Sequence, residues 1–289
     1  MADRIKEMGR RKDMTKREYA DAIAERIDGE VKEVEKNNGI KLTGIQPKQP
    51  YENRIAPVIY IDEMYNDELS IDDAVEIVTE RFDSAIKGVD FDPSITTDFN
   101  KAKEYLKLRL YNANNNYEVF RSASEYGFDD LIIVPVLDNV IPSGSIKFTK
   151  SLIESLGVTE DEIFDAAMEN IKADDYNLKG MSEVMVEMIG REQAEMMGVI
   201  VNPEDEKMFV ITSKEKAFGA FGVIALKEKL EEMFPNGYIV LPSSVHEVIV
   251  VPNDDSIEAL RLDNLINETN DTQVSQEEQL GNKAYRFVA

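Results

Sequence analysis

Residues 241–252 read LPSSVHEVIVVP and hold the single histidine of the chain. Two readings compete for this stretch. In one, Ser243 or Ser244 works with His246 and Glu247 as a hydrolytic relay. In the other, Pro-Ser-Ser makes a turn and residues 245–251 form a buried strand. A relay needs a base that reaches the nucleophile and a third group that orients the base, normally brought together from separate segments. Here the residues are adjacent. Consecutive side chains of an extended segment face opposite ways, so Glu247 is poorly placed to orient His246. No G-x-S-x-G elbow occurs anywhere in the chain. The turn-and-strand reading is preferred. It makes YIVLP (238–242) and VHEVIVV (245–251) neighbouring strands joined at Ser243-Ser244.

The flanking sequence continues the same rhythm. MFVIT (208–212) reads as a strand, 214–234 as largely helical, 256–268 as a helix and KAYRFVA as a last strand. Upstream, LIIVPVL (131–137) and GSIKFT (144–149) read as strands. Thr159 and Glu162 form a capping box for a helix that buries Ile163, Ala166, Ala167 and Ile171. Residues 172–180 read as a loop, and 91–112 as a turn that enters a helix. Nearer the start, a helix runs from Met14 to about Ile27 with Thr15 as its cap. Asn38-Gly39 supplies the two positive-φ positions of a hairpin turn within 31–45. APVIYI (56–61) reads as a strand, and Pro57 favours an edge or a strand start. Residues 70–88 form a helix between Ser70 and Gly88. The polar stretch ANNNY (113–117) marks the expected boundary. The predicted class is α+β. A flexible basic tail covers 1–13 and a smaller part with a helix and β-hairpin covers 14–112. A domain with a mixed or antiparallel sheet covers 117–289.

Composition narrows the function. The chain has 289 residues, 43% of them hydrophobic, which is enough for a core without staples. There is no cysteine, so disulfides, thiolate metal sites and a cysteine nucleophile are excluded. No run approaches a membrane span. The cytoplasm is the expected compartment. Net charge is −24. Residues 1–17 hold seven basic and three acidic side chains, so the remainder carries −28. A body this acidic repels a phosphate backbone. Nucleic-acid binding is not expected except through the basic N-terminal arm.

Other candidate chemistry is weak. One histidine and no cysteine make zinc improbable. Asp174-Asp175, Asp254-Asp255 and the Asp92/Asp98 pair are the visible carboxylate clusters, and none follows a calcium-loop pattern. They read as solvated loops, and no metal site or cofactor is expected. Gly219 and Gly222 in FGAFG lack the lysine and hydroxyl of a phosphate loop, so close packing of a helix on its sheet is preferred over ligand binding. Met181, Met185 and Met188 are spaced four and three apart, with Met196 and Met197 following. That spacing reads as a core stripe.

Several segments together resemble one family: NNGIKLTGI, IAPVIYIDEMY, SLGVTEDEIFDAAMEN, MFVITSKEKAFGAFGVI, YIVLPSSVHEVIVVP and INETNDTQVSQEEQLGNKAYRF. They resemble a bacterial family of unknown function found mainly in gut anaerobes, often near mobile genetic elements. The resemblance runs from about residue 15 to 287. Its most specific blocks are Leu-Pro-Ser-Ser-x-His-Glu-Val and the Asn-Glu-Thr…Glu-Glu-x-Leu tail. It implies a cytoplasmic α+β protein and brings no activity or cofactor. The expected function is therefore binding or regulation, with a basic protein surface as the partner and no membrane involvement. A sharper variant is a mimic of nucleic-acid charge. The rival is a hydrolase using Ser243 or Ser244 with His246, or a carboxylate-metal enzyme.

Overall fold

Thr15 opens the first helix through a reciprocal cap: its hydroxyl accepts the Glu18 N–H at 3.2 Å, and the Glu18 carboxylate accepts the Thr15 N–H at 2.8 Å. Helix α1 spans Lys16–Arg26 in a computed structural model that describes residues 14–49, 56–87, 91–141, 144–253 and 259–288. The predicted basic tail over 1–13 lies outside the described residues, as do Gly88 and the start of the 256–268 helix. The chain divides into two compact units, Met1–Pro93 with Val140–Gly144, and Ser94–Asn139 with Ser145–Ala289. ANNNY, the expected boundary, falls inside the second unit. It lies between two strands that share one sheet partner, which ties its two sides together.

In the first unit, β1 (Gly29–Glu35) and β2 (Lys41–Pro47) pair antiparallel, with Val34 opposite Leu42. Asn38 and Gly39 both adopt positive φ, at 58° and 73°, as the turn reading required. The loop is nevertheless longer than two residues, because Asn37–Gly39 form a 3₁₀ turn. β3 is only Ile59–Tyr60 and pairs with β2 at the sheet edge, after Pro57. Helices α2 (Asp62–Asn66) and α3 (Ile71–Ile86) complete the unit. Asp62 ties it together. Its carboxylate pairs with Lys16 at 2.6 Å and accepts the Thr43 N–H at 2.9 Å. Tyr19, Ile23, Ile45, Ile61, Val78 and Phe82 form the core. A cap contributes about 1 kcal/mol, whereas burying each large apolar side chain contributes about 1.5–3 kcal/mol. The core therefore dominates, and the caps set where the helices begin.

The second unit holds two sheets. The first comprises β4 (Leu106–Asn112), β5 (Arg121–Ser122), β6 (Leu131–Ile141) and β7 (Gly144–Lys147), with β6 pairing to all three others. The second is five-stranded. Its order is β12 (Tyr285–Phe287), β10 (Tyr238–Leu241), β11 (Glu247–Pro252), β9 (Phe209–Ser213) and β8 (Tyr176–Gly180), antiparallel throughout. The helices of this unit are α4 (Phe99–Ala102), α5 (Lys150–Leu156), α6 (Glu160–Glu169), α7 (Met181–Ile189), α8 (Arg191–Met196), α9 (Gly222–Ala225), α10 (Lys227–Met233) and α11 (Ala259–Gln273). Thr159 and Glu162 form the expected capping box on α6. The α+β class holds.

Two expectations are corrected. Residues 91–112 do not end in a helix: α4 is a single turn, and β4 follows. Leu106, Leu108 and Leu110 alternate and are all buried, which is the period of a strand. The supposed loop 172–180 contains β8, an edge strand whose half-buried, mixed composition carries no apolar run.

Candidate functional site

β10 ends at Leu241 and β11 starts at Glu247, so His246 sits in the connecting turn and not in the strand. The turn is dense in hydrogen bonds. Ser244 donates its N–H to the Glu247 carbonyl at 3.1 Å, and its hydroxyl accepts the His246 N–H at 3.1 Å. The His246 carbonyl accepts the Gly219 N–H at 3.0 Å and the Thr212 hydroxyl at 3.2 Å. Val245 donates to the Glu278 carbonyl at 2.9 Å. A polar backbone with this many internal partners has little freedom to rearrange.

The imidazole is fixed at both nitrogens. Nδ1 accepts the Phe218 N–H at 3.0 Å. The ring proton therefore sits on Nε2, which faces Glu278 Oε1 at 3.2 Å. Phe218 is held in the left-handed region at φ 51°, an uncommon state for a bulky residue. Its ring lies 5.1 Å from the imidazole and 3.5 Å from the Arg109 guanidinium carbon. Arg109 is 5% exposed, donates to Asp138 at 2.7 Å and to the Ser145 hydroxyl at 3.1 Å, and finds no acceptor for Nε among the described residues. One chain of contacts thus runs from Glu278 through His246 and Phe218 to Arg109 and Asp138.

This geometry does not assemble the relay considered for Ser243, Ser244, His246 and Glu247. The Ser244 hydroxyl serves a backbone N–H, the imidazole lone pair is taken by another backbone N–H, and Glu247 is exposed. The carboxylate that meets the ring is Glu278, which residue-by-residue reasoning did not single out. It stands in a turn after α11. Asn270 pins that turn by donating to the Gly281 carbonyl and the Asn282 side chain, both at 2.9 Å. The available signal was the Glu-Glu-x-Leu block. The two most specific blocks of the resemblance meet here, at the His246–Glu278 contact, the Val245–Glu278 backbone bond and an antiparallel bridge between Ser244 and Gln279.

A family model described as a family of unknown function, DUF5688, matches residues 12–288. The chain belongs to that family. No curated protein and no solved structure matches it.

In this DUF5688 member, Gly219 and Gly222 are sites of close approach. A Cβ on Gly219 would lie 2.1 Å from the Ser213 nitrogen and 2.6 Å from the His246 carbonyl oxygen. One on Gly222 would lie 2.6 Å from Ile211 and Tyr176 side-chain atoms. Among the described residues, no group of three or more Asp, Glu and His side chains converges as a metal site. Asp175 pairs with Lys107 at 3.2 Å, Asp98 accepts the Asn100 N–H at 2.9 Å as the cap of α4, and Asp254-Asp255 lie outside the described residues. A hollow of about 100 Å³ beside Phe218 is lined by Lys107, Arg109, Asp138, Asp175, Lys214 and Glu215. Its three cations and three anions sum to no net charge.

The methionine stripe is a correction. None of α7 is buried, and Met188, Met196 and Met197 are 78%, 78% and 64% exposed. Ile200 and Val201 are exposed as well. The helical spacing is real, but Gly190, at φ 86°, breaks the run into two short helices. Met181 and Met185 are half-buried and Ala194 is fully buried, so the helices keep one side on the protein, whereas Met188, Met196 and Met197 point away from it. Of the ten large exposed hydrophobics among the described residues, five fall within 188–201. Glu206 clasps this element to the sheet. Its carboxylate accepts the Ser182 N–H at 3.0 Å and the Lys207 and Met208 N–H groups at 3.2 Å, filling the place of an absent N-cap side chain.

Among the described residues, no helix is long and apolar enough to cross a membrane.

Proposed function

We propose that this chain is a non-catalytic binding or regulatory protein that engages a basic surface on a protein partner, and that it works in the cytoplasm. The observation that carries the reading is the exposure of Met188, Met196, Met197, Ile200 and Val201, five large apolar side chains within fourteen residues on α7, α8 and the segment after them, read as one apolar ledge. Exposed apolar clusters rimmed by polar groups are interaction surfaces more often than accidents of folding. Methionine suits such a surface, being flexible and polarizable. The charge around the ledge gives the sign of the partner. Residues 181–206 hold seven carboxylates and one basic residue, Arg191, within a chain of net charge −24. Complementary charge steers and speeds association with a cationic surface. The absence of cysteine fits a reducing compartment.

The test is affinity capture from cells of the producing organism. The bait is the full chain, or the chain carrying Met188→Asp, Met196→Asp and Met197→Asp. The reading expects basic proteins held at low salt, released at high salt and absent from the substituted bait. The same set on both baits would overturn it.

A further inference from the structure

Resting on that reading, we infer that the ledge and the groove beside it receive an amphipathic basic helix of the partner. The groove, of about 340 Å³, is lined by apolar residues such as Pro203, Phe209, Met233 and Phe234 and by the polar Glu206 and Asn253. Pro203 lies two residues beyond Val201, so the ledge leads directly into the groove. The volume is at the small end of ligand sites, which begin at about 300 Å³. It suits one anchoring side chain from a larger partner.

The chemistry of the surface selects the form of the occupant. The helical part of the ledge offers thioethers, while the backbone groups of α7 and α8 are engaged within the helices. An extended peptide laid there would desolvate its own N–H and C=O groups without partners. It would also turn alternate side chains away. A helix satisfies its backbone internally and presents one apolar stripe. Glu192, Glu195 and Glu204 flank the ledge, are exposed, and have no ion-pair partner among the described residues. They await cations on the polar side of that helix. A second copy of this chain would bring the same carboxylates against them, and an anionic lipid surface would repel them.

The probes are three labelled 18-residue peptides. One is a leucine–lysine peptide with leucines at helical spacing, one has the same composition in scrambled order, and one is lysine only. The full chain carries methyl-¹³C methionine. The amphipathic peptide is expected to bind at least ten-fold tighter than the scrambled one. It should shift the Met188, Met196 and Met197 methyl signals while leaving that of Met64, buried in the first unit, in place. Met196→Asp with Met197→Asp should weaken it ten-fold or more, with an unchanged circular dichroism spectrum. Equal binding of all three peptides would overturn the inference while leaving an acidic protein-binding role intact. No binding of any peptide at low salt would overturn both. A dimer in sedimentation, or pelleting with phosphatidylserine vesicles, that the two substitutions abolish would assign the ledge to a second copy or to a membrane, and would overturn the inference as well.

Discussion

His246 Nδ1 accepts the Phe218 N–H at 3.0 Å while Nε2 faces Glu278 Oε1 at 3.2 Å, so both ring nitrogens are committed to structure. The contact joins three separate segments of the sheet-and-turn region. Its role is to hold the 241–247 turn against FGAFG and the tail.

The first prediction separates the two nitrogens. His246→Ala leaves the Phe218 N–H without an acceptor and should cost about 1–2 kcal/mol. His246→Asn places an oxygen near the Nδ1 position and should recover most of that loss, whereas His246→Gln should not. Denaturant midpoints at constant slope measure this. If Asn were no better than Ala, the Phe218 bond would not be the one that matters.

The second concerns close packing. Gly219→Ala drives a methyl against the backbone of Ser213, which cannot move without breaking β9, so a loss of about 3 kcal/mol or more is expected. Gly222→Ala meets side chains that can shift, and should cost about 1–2 kcal/mol. Thermal melts that rank the two in the opposite order would contradict the geometry.

The third concerns pH and the ledge. Burial pushes the Glu206 carboxyl upward, but the bonds from Ser182, Met208 and Lys207 together hold it below the ordinary glutamate value. A carboxylate with a depressed folded value contributes stability that is complete above its unfolded value and lost as pH falls through the folded one. Amide protection factors in α7, taken relative to the intrinsic rate at each pH, should therefore be high above about pH 4.5 and fall below it. Glu206→Ala should show low protection in α7 across the whole range. Gly180→Ala, whose Cβ would lie 2.7 Å from Glu206 Oε2, should behave similarly at neutral pH. Unchanged α7 protection in Glu206→Ala would show that something else anchors the helix.

Much of the fold was legible because it rests on local rules. Thr15 with Glu18 and Thr159 with Glu162 announce helix starts through three-residue spacing, and Asn38-Gly39 announces a turn through its positive φ. The failures have physical causes. Leu106, Leu108 and Leu110 alternate in a stretch whose lysines also suit a helix, and only pairing with β6 decides between them. The Met181–Met188 spacing fits a helix whether its stripe is covered or bare, because periodicity reports the stripe and not what lies above it. Glu278 is 32 residues from His246, and no local pattern can join them. At 241–252 the turn was anticipated, but His246 is kept from Glu247 by the bend itself and not by strand alternation.

The most direct measurement is site-specific photo-crosslinking in the producing cell, from a photoreactive residue at position 196 on the ledge and, separately, at position 32 on β1. A discrete adduct with a basic protein is expected from position 196 and none from position 32. Indistinguishable adducts from the two positions, or none from 196 in cells that make the chain at its natural level, would contradict it.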